Sequence, residues 1–330
     1  MTQQNSGLSD STALPAQVLV VGSINMDMVA HAPRLPAAGE TLVGEAFVMA
    51  PGGKGANQAV AAARLGASVA FVSRVGTRQH GEALLQALQD EGVDGSAVLR
   101  DAQALPGIAV IMVASEGGEN SIVYVPGSNA QLSPQDVLAG ARKFQAGTVT
   151  VAQLEVPLPA VQQAFELSRA AGGRTVLNAA PALAVTPALL ALTDWLVLNE
   201  TEAFQLAGLP ALPEETPPAQ LLSQVGVAAQ ALRQRGAGQV LVTLGGTGVL
   251  MCGAEGLQHL PAQAVKAVDT VGAGDTFVGG FATGLAEGLS AVDAVRLGMA
   301  AAAIAVSRSG VQSAMPRRAE LGPAFAPRQD

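Results

Sequence analysis

Aromatic residues are scarce in this chain of 330 residues: they make up 3%, with one Trp and one Tyr. Because 49% of the residues are nevertheless hydrophobic, a sizeable core can form, and it has to be built from Ala, Val and Leu. Cys252 is the single cysteine, which excludes an intramolecular disulfide and a cysteine-rich zinc site. The three histidines, His31, His80 and His259, are scattered without metal-ligand spacing. Charge is sparse at 13% and its surplus is acidic, with a net charge of −8, which argues against a nucleic-acid or anionic-membrane surface and favours small-molecule chemistry. Long apolar runs are missing too. The longest, 297–307, is bounded by Arg296 and Arg308 and is far too short to span a bilayer. Residues 1–16 lack a basic segment and lead into a run of strand length rather than signal-peptide length. The expectation is a cytoplasmic protein with a disordered tail over 1–16 and no membrane partner.

Glycine, by contrast, is abundant, with 38 residues, as many tight strand-to-helix turns require. Short apolar runs alternate with Ala-rich stretches of helical period, which predicts an α/β fold: a doubly wound, mostly parallel sheet flanked by helices. Core strands are predicted at 18–22, 70–75, 148–153, 175–178, 195–198 and 239–244. Helices are predicted at 55–65, 81–91, 159–171, 201–207, 228–235, 275–287 and 291–306. Two segments break this rhythm, about 25–49 and 106–127, the second with a hairpin turn at 116–120. Loops this long in a compact α/β domain are more often functional than idle, so the pair is expected to form a small β-sheet lid inserted in a domain spanning 17–316. A C-terminal tail follows at 317–330. The proline-rich stretch 209–219 reads as a surface insertion.

The segment Ala267-Val-Asp-Thr-Val-Gly-Ala-Gly-Asp-Thr-Phe277 carries the strongest chemical signal. Gly272, Ala273 and Gly274 let the backbone curl so that successive N–H groups face one point, and a helix starting near Asp275 adds the positive end of its dipole. An anion fits there. A carboxylate at the same spot repels phosphate, so Asp275 reads either as the acceptor of a proton from an attacking hydroxyl or as a plain N-cap on a glycine turn. Earlier, Gly22-Ser-Ile-Asn-Met-Asp27 puts Asn25 and Asp27 on one face of an extended segment by period two, able to grip vicinal hydroxyls. Pro51-Gly-Gly-Lys-Gly-Ala-Asn57 combines glycines that allow close backbone approach with the polar Lys54 and Asn57. Lys54 is followed by Gly55, so this is not a P-loop. Phe277 stands where a dinucleotide fingerprint needs its third glycine.

These segments, in this order, together with Gln153-Leu-Glu155, Asn199-Glu-Thr-Glu202 and Thr243-Leu-Gly-Gly-Thr-Gly248, resemble the ribokinase family of carbohydrate and nucleoside kinases over nearly all of 18–316. The resemblance implies ATP-dependent phosphorylation of D-ribose at O5. A sister kinase for another sugar, such as 2-deoxyribose or a fructose-type sugar, or for a nucleoside is the alternative, and a non-catalytic sugar-binding regulator is a remote one. It further implies Asp275 as the base and Gly272, Ala273 and Gly274 as the anion hole. Asn25, Asp27, Gly53, Lys54, Asn57 and Glu155 are implied to bind the sugar. Asn199 and Glu202 are implied to orient Mg2+ and phosphate through water, and Thr243, Gly245, Gly248 and Gly274 to meet the nucleotide. Asp269 with the carbonyls of Val271, Ala305, Arg308 and Gly310 is implied to surround K+ or another monovalent cation. A homodimer through the lid is implied as well.

The chain departs from the family pattern at Arg78, where an acidic residue is common, at Met299, where Asn or His is common, and at Ala314, where a serine is common beside the cation; Ser313 is a possible replacement. Tyr124 and Pro126 are rigid choices for the lid. Asp275→Asn keeps the shape of the base but cannot accept a proton. Turnover is expected to fall by about 10²–10⁴, with sugar and nucleotide affinity within a few-fold, as steady-state kinetics and equilibrium binding on the purified variant will show.

Overall fold

The computed structural model describes residues 18–116, 119–213 and 215–325. The expected tail over 1–16 and the tip of the 116–120 turn lie outside them. In chain order the elements are β1 (Val18–Val21), β2 (Asn25–Ala32), β3 (Ala46–Gly52), α1 (Lys54–Arg64), β4 (Val69–Gly76), α2 (Gly81–Asp90) and β5 (Asp94–Asp101). There follow β6 (Gly107–Ala114), β7 (Asn120–Val125), α3 (Pro134–Ala139), β8 (Val149–Ala152), α4 (Leu158–Ala170), β9 (Arg174–Asn178), α5 (Pro187–Ala191) and β10 (Trp195–Asn199). The last third holds α6 (Glu200–Ala207), α7 (Pro218–Gln234), β11 (Gln239–Thr243), β12 (Val249–Gly253), β13 (Gly256–Leu260), α8 (Ala273–Ala286) and α9 (Ala291–Ala305).

Nine strands form one sheet in the order β13-β12-β11-β10-β9-β8-β1-β4-β5. It is parallel from β5 to β11 and ends in the antiparallel β12 and β13. The strand sequences show why both faces are covered. Leu19 and Val21 of β1 join the cluster under α4, α6 and α7, whereas Val18 and Val20 join the cluster under α1, α8 and α9. Alternation along the strand therefore feeds two cores, and the strand reads as an unbroken apolar run.

Three aromatic side chains meet in that second core. Phe281 of α8 meets Trp195 of β10 edge-on at 5.0 Å between ring centroids and lies beside Phe277 at 6.2 Å. Around them the helices touch through glycines. A Cβ on Gly280 would lie 2.8 Å from the Gly298 Cα on α9, and one on Gly279 would lie 2.5 Å from the Ala61 Cβ on α1.

A second sheet, ordered β3-β2-β6-β7, is the expected lid. β2 pairs in parallel with β6, and β3 and β7 are antiparallel to their neighbours. The lid segment extends past 49 to Gly52, because β3 keeps its register with β2 as far as Asn25 opposite Gly52.

Several elements differ from expectation. β5, β12 and β13 were not anticipated: β5 is an edge strand with mixed exposure, and β12 and β13 form a hairpin with an exposed outer strand. α7 starts at Pro218 rather than 228, with proline at its first turn, where the missing N–H is harmless and the fixed φ helps. The insertion accordingly ends before it. Residues 318–325 form two short 3-10 turns, and Arg318 pairs with Glu287 at 3.0 Å. The chain beyond 316 is thus fastened to the domain as far as Phe325.

Gly280→Val pushes a branched side chain into the α8–α9 backbone contact. Destabilisation of about 1–3 kcal/mol is expected, read as a lower urea midpoint with an unchanged slope.

Candidate active site

The residues singled out in the sequence converge at the carboxyl ends of the central parallel strands. Asp275 lies in the first turn of α8 and is 7% exposed. Gly272 caps that helix with φ 77°, a left-handed conformation suited to glycine, and a Cβ there would also meet Val311 Cγ1 at 2.7 Å. The Ala273 amide donates to the Thr270 carbonyl at 3.3 Å. That leaves the Gly272 and Gly274 amides without an acceptor among the described residues, and both glycines line a cavity of about 200 Å³. Of the three expected anion donors, Ala273 is the one already engaged.

Neutral amides hold the Asp275 carboxylate. Asn57 Nδ2 donates to Oδ2 and Gln58 Nε2 donates to Oδ1, each at 2.9 Å. Gln312 Nε2 steadies Asn57 Oδ1 at 3.0 Å. These donors fix the orientation of the carboxylate and bring no charge of their own.

On the lid side, Asn25 is buried and Asp27 partly so, and glycines make the room. A Cβ at Gly107 would sit 2.1 Å from Asn25 Oδ1, and one at Gly52 would sit 2.0 Å from Asp27 Oδ2. Asn25 Oδ1 accepts from Asn129 Nδ2 at 2.7 Å, and Asn129 also bonds the Ile24 amide at 3.0 Å and the Tyr124 hydroxyl at 3.2 Å. Glu155 follows β8 and accepts from Ser23 Oγ at 2.5 Å and from the Lys54 amide at 3.1 Å. Gly53 is the N-cap of α1 with φ 91°.

Asp27 differs from its neighbours. Among the described residues no donor reaches its carboxylate, and burial, reinforced by the charges of Glu155 and Asp275, pushes its pKa up to about 7. Burial alone would lower the Lys54 pKa, yet Asp275, Glu155 and Glu202 outweigh it and hold the ammonium above the ordinary lysine value. The site therefore sets three carboxylates around one lysine, with Asp27 beside two of them, an arrangement suited to a cationic or cation-escorted ligand.

The cavity beside Asp275 is also lined by Lys54, Asn178, Asn199, Glu202 and Thr243. Asn199 and Glu202 form a reciprocal capping box on α6: Glu202 N donates to Asn199 Oδ1 at 2.8 Å, and Asn199 N to Glu202 Oε2 at 2.9 Å. Desolvation raises the Glu202 pKa. Gly245 lies in an exposed 3-10 turn. Gly248 is outside the cavity lining; its φ of 108° and a prospective Cβ only 2.1 Å from the Leu260 carbonyl make it a conformational residue of the turn into β12.

Asp269 Oδ1 accepts from the Val271 amide at 3.0 Å and Oδ2 from the Gly310 amide at 3.1 Å. The carboxylate thus ties the loop before α8 to the loop after α9. The Ala305 carbonyl is engaged by the Arg308 amide, whereas the carbonyls of Val271, Arg308 and Gly310 accept no backbone hydrogen bond among the described residues. Ala314 is buried, and Ser313 Oγ is the hydroxyl beside Gly310. Met299 packs against the second core, and the Arg78 amide donates to the Ala104 carbonyl at 3.3 Å.

Sequence reasoning missed Ser23, Gln58, Asn129, Asn178 and Gln312, all of which bond directly to an expected site residue or line the cavity. Gln58 and Asn178 could have been flagged as polar residues inside otherwise apolar helix and strand patterns. Asn129, in a polar turn, gave no such signal.

With the geometry in view, the chain matches the model of the pfkB family carbohydrate kinases over residues 15–318. It is 40% identical over 301 residues to a ribokinase of Haemophilus influenzae, covering 91% of this chain and 95% of that one. It is 34% identical over 300 residues to a deoxyribokinase of Salmonella typhi, covering 91% and 95%. The structure of Arabidopsis thaliana ribokinase complexed with ribose and ATP superposes with a TM-score of 0.82 at 32% identity, over 93% of this chain and 98% of that one.

Asp27 accepts hydrogen bonds from hydroxyl groups best when ionised. Since its pKa is raised, it carries a proton at low pH, and kcat/KM for a sugar acceptor is expected to rise with pH up to about 7, falling by about tenfold per unit below that value. Measuring kcat/KM against pH for the wild type and Asp27→Asn checks this: the amide cannot titrate, and the limb should flatten.

Proposed function

This chain belongs to the pfkB family of carbohydrate kinases, and on that premise we propose that it transfers the γ-phosphoryl group of ATP to O5 of D-ribose, giving ribose 5-phosphate and ADP. The supporting observation is the position of Asp275, whose buried carboxylate lies at a helix N-terminus between the polar root of the lid and the lined cavity. In this reading the sugar lies under the lid. Asn25, Asn57, Glu155, Lys54 and the Gly53 backbone hold its hydroxyls, and Asp27, the carboxylate without a donor, accepts from the vicinal pair. Asp275 takes the O5 proton as the O5–P bond forms and the bond to ADP breaks. The amides of Gly272 and Gly274, aided by the helix dipole, steady the charge on the transferring group.

ATP-dependent kinases of this family use a divalent metal with the nucleotide, and it supplies charge neutralisation on the phosphates. We take it to be Mg2+. Asn199 and Glu202 suit it as water-mediated partners, because their capping box already occupies one oxygen of each and Mg2+ sheds its water reluctantly. Thr243 and Gly245 flank the nucleotide. Asp269 and the unengaged carbonyls of Val271, Arg308 and Gly310 form an oxygen-only donor set suited to a hard monovalent cation such as K+, with Ala305 as a weaker member. Such an ion would brace the loop that feeds Gly272.

The lid exposes Phe47 at 61%, Ile122 at 57% and Val123 at 64%. A sheet with such apolar exposure needs a cover, and a second lid in a homodimer supplies one. Among the described residues no helix is long and apolar enough to cross a membrane; work in the cytoplasm belongs to the same reading.

A coupled assay for ADP release across ribose, 2-deoxyribose, fructose and adenosine, each in K+, Na+ and a bulky organic cation, tests the reading. Ribose should lead, with 2-deoxyribose lower in kcat/KM by about 10–10²-fold for one lost hydrogen bond to a charged acceptor. Potassium should exceed sodium several-fold. Preference for another acceptor overturns the ribose assignment, and equal rates in all three cations overturn the cation site.

A further inference from the structure

We propose that Gln58 and Gln153 are positioning residues, forming a one-way chain of buried amides that keeps an N–H donor against Asp275. The inference rests on the reading of Asp275 as the base. Two groups that can only accept set the direction of every amide in the chain. The Val197 carbonyl accepts from Asn178 Nδ2 at 3.2 Å, which turns Asn178 Oδ1 toward α1. That oxygen and Asp275 Oδ1 each lie 2.9 Å from Gln58 Nε2. The NH2 end of Gln58 must face them, so its Oε1 faces Gln153, whose Nε2 donates to it at 2.6 Å. The members are buried: Gln58 is 1% exposed and Gln153 0%.

The far end of the chain carries its signature. Gln153 Oε1 lies against Gly22, where a Cβ would be 2.1 Å away, and among the described residues it is a buried side-chain oxygen without a hydrogen-bond partner. Orphaned buried acceptors are unfavourable and call for a reason. Turning the Gln153 amide over would only set two oxygens face to face. An apolar residue at 153 would only move the orphan to Gln58 Oε1 and remove the donor that holds that amide in place. The orphan is the remainder of a chain whose direction is fixed from the Asp275 end.

The two oxygens of the base are thereby unequal. Oδ2 is held by Asn57, a proposed sugar ligand, whereas Oδ1 is held by a side chain with no access to the sugar. When an acceptor hydroxyl competes for Oδ2, Gln58 keeps the carboxylate aimed through Oδ1.

Gln153→Glu tests this without touching Asp275. Protonated, Glu donates to Gln58 Oε1 as the amide does; ionised, it faces that oxygen with a second acceptor and loosens the hold of Gln58 on Asp275. At saturating sugar and nucleotide, kcat is expected to fall at least about tenfold as pH rises through roughly 6–9, the range of buried glutamates, a descending limb that Gln153→Met lacks. KM should change little. A Gln153→Glu profile that matches wild type, or a change confined to KM, overturns the relay. Should that variant fail to fold, Gln58→Met carries the test. Its kcat should fall about 10–10²-fold, because the base has lost the donor that aims it, while KM for the sugar changes little. Calorimetric sugar affinity should hold, and an unchanged kcat, or a loss confined to KM, overturns the proposal. Asp275→Asn separates the two readings: if it is inactive while the relay variants keep wild-type profiles, the relay fails and the base stands. An active Asp275→Asn removes the base itself.

Discussion

The site depends on how closely α1 and α8 approach. Gly279 sits on α8 one turn beyond Asp275, and a Cβ there would lie 2.5 Å from the Ala61 Cβ and 2.8 Å from the Gln58 carbonyl. Only with hydrogen at that position can the helices come near enough for Asn57 and Gln58 to reach the Asp275 carboxylate at 2.9 Å. A retreat of α8 by one ångström would stretch both contacts beyond hydrogen-bond range. A packing constraint in the core thus sets the geometry of a carboxylate at the surface of that core, and an ordinary glycine carries as much of the chemistry as the polar residues do.

Charge is managed by giving each carboxylate a different environment. Asp275 has neutral amides, Glu155 has a hydroxyl and a helix N-terminal amide, and Glu202 has its own capping box. Asp27 has none of these to offset burial and the charges of Glu155 and Asp275, which raise its pKa. With no donor reaching it among the described residues, it stands out as the pH-sensitive carboxylate of the cluster. Lys54, held cationic by three of these carboxylates, keeps the cluster from being uniformly negative before any ligand arrives. The pocket is neither repelled by phosphate outright nor neutral without it.

Legibility from sequence followed the kind of signal each residue gives. Asn25 and Asp27 were visible because period two places them on one face and β2 keeps that period. Gly272 to Asp275 was visible because left-handed glycine before a helix is a local event. The parallel core was visible from apolar runs that the two-sided sheet demands. What stayed hidden depends on contacts between residues far apart in the chain. Gln58 and Asp275 are separated by 217 positions and Ile24 and Asn129 by 105, and an amide carries no titration, period or spacing that announces such a partner. β5 and β13 have edge-strand burial without a clean alternation, and the prolines before α7 read as loop although one of them begins the helix.

Topology explains why these scattered residues meet. From β1 the chain proceeds outward to β4 and β5 on one side, while β8, β9, β10 and β11 proceed outward on the other. The direction of progress reverses between β1 and β8, and a crevice opens outside the carboxyl ends of strands at such a reversal. Gly22 to Asp27 leaves β1 there and continues without a break into the lid, and Gln153 to Glu155 leaves β8 beside it. Asn178, Asn199 and Thr243 are the last residues of β9, β10 and β11, so the cavity runs along successive strand ends away from the lid. In the proposed reading the sugar side and the nucleotide side are two halves of one crevice, and α8, which brings Asp275, enters at the seam because its glycines fit against α1, the helix that follows the lid. A lid strand that grows out of the central strand cannot shift without pulling on the same backbone that shapes the base's surroundings, which links the order of the lid to the aim of Asp275.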